Sequence, residues 1–133
     1  MRLNPDCVRA LLLVLEEELQ FDEALTYPHI SFAHITKNPM LKDYPAADIA
    51  YTTLKLMEAG FINAATIPGD DTFDALYASI TYEGHQFLES VRKEENWKKT
   101  KEVCGKIGSF TLKSIKSVAE GVATAAIKNY FGL

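Results

Sequence analysis

Cysteine, glycine and proline are scarce in this chain, and each scarcity excludes a class of protein. The two cysteines, Cys7 and Cys104, are too few for a disulfide framework or a four-cysteine zinc site. With 7 glycines and 5 prolines in 133 residues, the chain is neither collagen-like nor of low complexity. Uncharged, mostly apolar stretches such as residues 121–127 are far too short to span a bilayer. The N-terminal residues MRLNPDCVR lead directly into an amphipathic segment, so no signal peptide is expected.

The remaining composition is that of an ordinary globular domain. The chain is 47% hydrophobic, 24% charged and 11% aromatic. A chain of this length buries roughly two-thirds of its unfolded surface, so it needs no metal or disulfide to fold. We therefore expect one domain, or one domain with an appended element, in a soluble and cytoplasmic protein.

Charge is distributed unevenly along the chain. Residues 1–92 carry six basic and fourteen acidic side chains, whereas residues 93–133 carry eight lysines and four glutamates. The net charge of −4 therefore combines a body of −8 with a C-terminal segment of +4. The basic segment is interpreted as a solvated helix face, as a tail with its own partner, or as a tail docked on the acidic body.

Apolar spacing of three and four residues predicts several helices. The first covers about residues 5–19 and is capped by Asn4, with Pro5 in its first turn. Another covers about residues 45–59 and ends at Gly60 in the left-handed conformation. Its predicted apolar stripe is Ile49, Ala50, Thr53, Leu54 and Met57.

Helices are also predicted after the middle of the chain. Thr81 caps a helix there, and a helical pattern then continues through Trp97 to Gly108. A last helix, over about residues 110–130, is predicted to be capped by Ser109.

Extended segments are predicted in two places. Residues 28–35, with the sequence PHISFAHI, alternate in the manner of a short strand. Residues 61–67 and 76–81 flank the turn-rich sequence PGDDTFDA and predict a β-hairpin. The order of helix, short strand, helical turn, long helix and hairpin is that of a winged helix-turn-helix domain. We therefore predict an α+β, mostly helical fold: a winged helix in residues 1–92 and a C-terminal helical extension in residues 93–133.

Several segments also resemble a known family. The sequences MRLNPDCVR, TYEGHQFLESVR, NWKKTKEV and GSFTLKSI are similar to those of a phage- and prophage-encoded bacterial family catalogued as domain of unknown function 2513. The resemblance covers nearly the whole chain. It implies a winged helix followed by C-terminal helices, and it implies no established activity or site residues.

DNA binding, the usual use of this fold, is supported by only part of the sequence. A recognition helix would place Tyr51, Thr52 and Lys55 near the bases, with Lys98, Lys99 and Lys101 on phosphates. Trp97 lies beside these lysines as a stacking surface or as a core residue. The predicted wing tip is acidic, however, which removes the phosphate contacts that supply most non-specific affinity.

The last helix is the other candidate interaction element. A stripe along one of its faces packs on the parent domain or forms a contact with a partner. The candidate residues are Ile115, Val118, Val122, Ala126 and Tyr130.

Catalytic and metal-binding signatures are missing from the sequence. There is no G-x-S-x-G elbow, phosphate-binding loop or H-E-x-x-H motif. His29 and His34 would point to opposite faces of a strand, and both cysteines are expected to be buried. We therefore predict no enzyme, metal, cofactor or small-molecule substrate, and we expect no membrane contact. The leading hypothesis is a phage-linked accessory module that binds a protein or itself, and a DNA-binding regulator is the alternative.

Overall fold

The computed structural model describes residues 1–133, which form an α+β fold that is 59% helical. The chain divides into two compact units, Met1–Gly84 and His85–Leu133. This division falls within the helix Tyr82–Val91. The predicted domain boundary between residues 92 and 93 was based on the change in net charge after Arg92, and it stays a prediction. In chain order the elements are α1 (Pro5–Glu18), β1 (Ile30–Ser31), α2 (Phe32–Ile35), a 3-10 turn (Pro39–Leu41), α3 (Ala46–Glu58), β2 (Ile62–Thr66), β3 (Ala75–Ile80), α4 (Tyr82–Val91), α5 (Glu94–Ile107) and α6 (Leu112–Phe131).

The first unit is built around α1, which packs against α3 and β3. The side chain of Asn4 accepts hydrogen bonds from the backbone N–H groups of Asp6 and Cys7, which confirms the predicted cap. α1 presents a continuous apolar face to the core of this unit. Its buried residues are Cys7, Val8, Leu11, Leu12, Val14 and Leu15.

The segment predicted as a strand over residues 28–35 is a strand in only two positions. β1 pairs antiparallel with β3, with Ile30 opposite Tyr77. The chain then turns into α2, because the Ser31 hydroxyl accepts a hydrogen bond from the backbone N–H of His34 and caps a helical turn. The alternation of apolar residues predicted the extended start of this segment but not its helical end.

The predicted hairpin is confirmed as β2 and β3, and the sheet order is β1-β3-β2. Gly84 fixes the return of the chain after β3: a Cβ atom at this position would lie 2.0 Å from the carbonyl oxygen of Phe61. Thr81 completes the junction, since its hydroxyl donates to the Gly60 carbonyl and accepts from the Gly84 N–H. In the motif TYEG (residues 81–84), Thr81 therefore caps the helix that follows the hairpin, and Gly84 allows the backbone to approach Phe61 closely.

A polar pair lies inside the otherwise apolar core of the first unit. The hydroxyl groups of Thr53 and Tyr77 are 2.6 Å apart, and Thr53 also donates to the carbonyl of Ile49. Burial raises the pKa of Tyr77 to about 12, with the Thr53 hydrogen bond acting in the opposite direction. The pair joins α3 to β3 by a satisfied buried hydrogen bond.

The second unit contains an αα-hairpin in which α5 packs against α6. α5 ends at Gly108 (φ 81°), and the Gly108 and Ser109 N–H groups both donate to the Cys104 carbonyl. Thr111, not the predicted Ser109, caps α6, because its hydroxyl accepts from the Ser114 N–H. The Ser109 hydroxyl instead lies 2.7 Å from the Ser114 hydroxyl.

Candidate interaction surfaces

The outward face of α3 differs from its prediction at Thr52. Thr52 is fully buried, so it cannot contact DNA from this position. Lys55 is half-exposed, but its Nζ lies 2.9 Å from Glu58 Oε2 and 5.2 Å from the centre of the Tyr51 ring. Of the three predicted base-contacting residues, one is in the core and the other two contact each other.

The apolar stripe of α3 is rotated from the predicted one. Its buried residues are Ile49, Thr52, Thr53 and Leu56, whereas Leu54 is 37% exposed and Met57 is half-buried. The predicted spacing places Leu54 in the core, whereas Thr52 occupies the interior on the helix that packs against α1. Burial raises the pKa of the nearby Cys7 thiol, and the Thr52 hydroxyl partly offsets this rise.

The tip of the β2–β3 hairpin is acidic in the folded chain. Asp70, Asp71 and Asp74 are all exposed. Two of these carboxylates support the turn, since Asp70 accepts from the Thr72 N–H and Asp74 accepts from the Ala75 N–H. Exposed carboxylates at this tip disfavour close approach to a phosphate backbone.

Two lysines of α5 lie on its surface, and the tryptophan that precedes them does not. Lys98 and Lys99 are exposed, and Lys101 is half-buried with its Nζ 5.5 Å from the centre of the Trp97 ring. Trp97 is only 3% exposed, which confirms its interpretation as a core residue and removes it as a stacking surface for bases.

The histidines and cysteines do not form a metal centre. Cys7 and Cys104 are both buried free thiols, as predicted. His29 Nδ1 lies 3.0 Å from the Tyr27 carbonyl oxygen, and His34 Nε2 lies 3.5 Å from Glu18 Oε1. No group of three or more His, Cys, Asp or Glu side chains is arranged to hold a metal ion.

The predicted stripe of α6 is covered over only part of its length. Ile115 is buried and Val118 and Val122 are half-buried, whereas Ala126 and Tyr130 are exposed. The reason is length: α6 has 20 residues and α5 has 14, a difference of about 9 Å at 1.5 Å per residue. Ile115 is therefore a packing residue, which corrects its place in a partner-facing surface.

The uncovered end of α6 carries several large apolar side chains. Ile127 is 60% exposed, Tyr130 is 85% exposed and Phe131 is 67% exposed. The rings of Tyr130 and Phe131 meet edge to face, with their centroids 5.2 Å apart. We call residues 124–131 the α6 end; every side chain in it is exposed.

A second apolar surface lies in the loop between α1 and β1, residues 19–29, which the sequence prediction did not identify. Phe21, Leu25 and Tyr27 are 59–75% exposed. Leu25 has φ 60°, and its N–H donates to the Asp22 carbonyl while the Thr26 N–H donates to the Asp22 carboxylate. The Thr26 hydrogen bond lowers the pKa of Asp22 below its usual value. An exposed leucine with positive φ has no sequence signature, which is why this loop was missed.

Comparison of the sequence with known protein families gives a match. A protein-family model described as hypothetical protein DUF2513 matches residues 2–110. The chain belongs to the DUF2513 family. This confirms the predicted family; the matched range ends before α6 begins. No curated protein and no solved structure matches the chain. None of the helices combines the length and the apolar content that are needed to cross a membrane.

Proposed function

We propose that this DUF2513 protein is a non-catalytic, phage- or prophage-linked accessory module that binds a protein surface, including that of a second copy, through the end of α6. The order of α1, β1, α2, the 3-10 turn, α3 and the β2–β3 hairpin supports a winged-helix assignment for the first unit. On this proposal the winged helix is a scaffold, and the C-terminal helices carry the contact.

The observation that carries the proposal is the uncovered apolar surface of the α6 end. Soluble monomers rarely expose several large apolar side chains side by side without a partner. In α6 the apolar stripe that packs near Ala119 continues to Ala126 and Tyr130, where no side chain is buried. An amphipathic helix with an uncovered apolar face is a common way to bind a groove or another helix.

DNA binding receives less support from the same surfaces. Thr52 is in the core, so α3 could not use it to contact a base. Lys55 would have to leave its ion pair with Glu58 to do so. The exposed lysines of α5 remain available for phosphate contact, but exposed carboxylates at the hairpin tip oppose it.

Sedimentation velocity tests the proposal on the full chain over a wide range of protein concentrations. The variant Ala126→Asp with Tyr130→Asp places two charges on the exposed part of the stripe. We expect wild-type association, alone or with a protein partner, to weaken at least tenfold in this variant, because a contact would desolvate both carboxylates. Circular dichroism checks that the helices persist, since neither side chain is buried.

The matched control is Ser117→Asp with Gly121→Asp, which adds the same charge to exposed positions on the opposite face of α6 and outside the α6 end. This control should associate as the wild type does. A monomeric wild type at every concentration that also captures no protein partner would refute the proposal. Equal effects of the two variants would show that charge, not the apolar stripe, is responsible.

A further inference from the structure

We propose that the loop between α1 and β1 of one chain binds the α6 end of a second copy. This inference rests on the proposed function, because it names the partner surface that the α6 end contacts. The two surfaces lie in different units, and each is exposed in the single chain.

The loop is an ordered apolar surface. Phe21 and Tyr27 contact each other with ring centroids 5.7 Å apart, and both rings are more than half exposed. Two hydrogen bonds to Asp22 hold the turn that contains Leu25 in its positive-φ conformation. Bulky residues avoid this conformation, and such outliers cluster at binding sites. The loop therefore presents its apolar side chains in a fixed arrangement, which reduces the entropy lost on binding.

Charge complementarity selects the α6 end as the occupant. No lysine or arginine occurs between Arg9 and Lys37, whereas this stretch contains five carboxylates. They are Glu16, Glu17, Glu18, Asp22 and Glu23. α6 carries Lys113, Lys116 and Lys128 against one carboxylate, Glu120, which pairs with Lys116; Lys128 lies in the α6 end itself. An acidic, apolar loop and a basic helix with an apolar end match in both properties.

A second copy is the occupant because each chain carries both halves of the contact. Such a contact joins two different surfaces, so two copies either close into a dimer through two reciprocal contacts or extend into larger assemblies. Both outcomes make association depend on protein concentration and on salt.

The first test removes the apolar side chains of the loop. In the variant Leu25→Gly with Tyr27→Ser, glycine suits the positive φ, so the fold is retained. We expect self-association measured by sedimentation velocity to weaken at least tenfold. Tyr82→Ser is the matched control, since Tyr82 and Tyr27 are both 74% exposed and Tyr82 lies outside the loop. Unchanged association of the loop variant, or an equal loss in the control, overturns the inference.

The second test exchanges charges between the two surfaces. Glu17→Lys with Glu23→Lys changes the charge of the loop side from −5 to −1, and Lys113→Glu with Lys128→Glu changes that of α6 from +2 to −2; all four residues are exposed. Each variant alone should self-associate at least fivefold more weakly at low salt. An equimolar mixture of the two should bind more tightly than either variant alone, because one reciprocal contact is then the wild-type pair and the other places the new lysines opposite the new glutamates.

The two proposals fail in different ways. If the α6 variant Ala126→Asp with Tyr130→Asp loses association while the loop variants keep it, the loop is not the receptor and the proposed function survives. If the wild type stays monomeric at all concentrations, the second-copy contact is refuted. If the mixture of charge variants regains no affinity, the loop and α6 do not contact each other.

Discussion

α1 and α6 are both amphipathic helices, but they are covered to different degrees. α1 buries six of its 14 residues in the first unit, whereas α6 buries only Ile115 and Ala119 among its 20. α1 packs on both a helix and a strand, while α6 extends beyond the shorter α5. The comparison teaches that an apolar stripe contributes to the fold only where another element covers it. Where cover is missing, the same stripe becomes a candidate contact surface.

The largest difference is expected between core and exposed apolar side chains of these two helices. Leu11→Ala in α1 should lower the free energy of unfolding by about 2–5 kcal/mol, because it leaves a cavity in a packed core. Ile127→Ala at the α6 end should change it by less than about 0.5 kcal/mol. Urea unfolding at low protein concentration measures both. A large loss in Ile127→Ala would show that the α6 end is covered within the single chain.

The next comparison uses two glycines that become alanine. At Gly84 the new Cβ would meet the Phe61 backbone carbonyl, so we expect a loss of about 3 kcal/mol or more. At Gly121, inside α6, a new Cβ would have no atom within 4 Å beyond the neighbouring backbone of its own helix, so alanine should stabilise the helix by about 1 kcal/mol. Thermal unfolding should therefore move in opposite directions. A neutral Gly84→Ala would contradict the close approach that ends the hairpin.

The third comparison is between pH ranges. Because the folded pKa of Tyr77 lies above the unfolded value of 10.0, the folded state keeps the phenol proton longer. The contribution of the protonated Tyr77 to the free energy of unfolding is complete below pH 10. It falls by at most about 2–3 kcal/mol as the pH rises toward 12. Tyr77→Phe should flatten this decline, although it costs about 1 kcal/mol at neutral pH through the lost hydrogen bond to Thr53. An identical alkaline decline in both proteins would show that other groups are responsible.

Local signals predicted much of the fold. Asn4, Gly60 and Thr81 have the predicted roles at α1, α3 and α4, because caps and turns depend on neighbouring residues. The hairpin was also predicted, since its turn residues and flanking β-formers are contiguous. The end of the predicted strand over residues 28–35 was wrong because the Ser31 cap outweighed the alternation of apolar residues.

Surfaces were predicted less well, since exposure depends on residues that are distant in sequence. The predicted stripe of α3 places Leu54 in the core and Thr52 outside, whereas the core of the first unit contains the hydroxyl groups of Thr52, Thr53 and Tyr77 and leaves Leu54 37% exposed. The α6 stripe was predicted, but where its cover ends depends on the length of α5. The loop around Leu25 has no periodic pattern and became visible only in three dimensions.

Hydrogen exchange at two protein concentrations tests the central claim most directly. Peptides from residues 124–131 and from residues 19–29 are followed in the full chain. The account predicts that both segments become more protected together as concentration rises, while peptides from the α1 core keep the same protection. Unchanged protection of both segments at concentrations where the chain associates would contradict it.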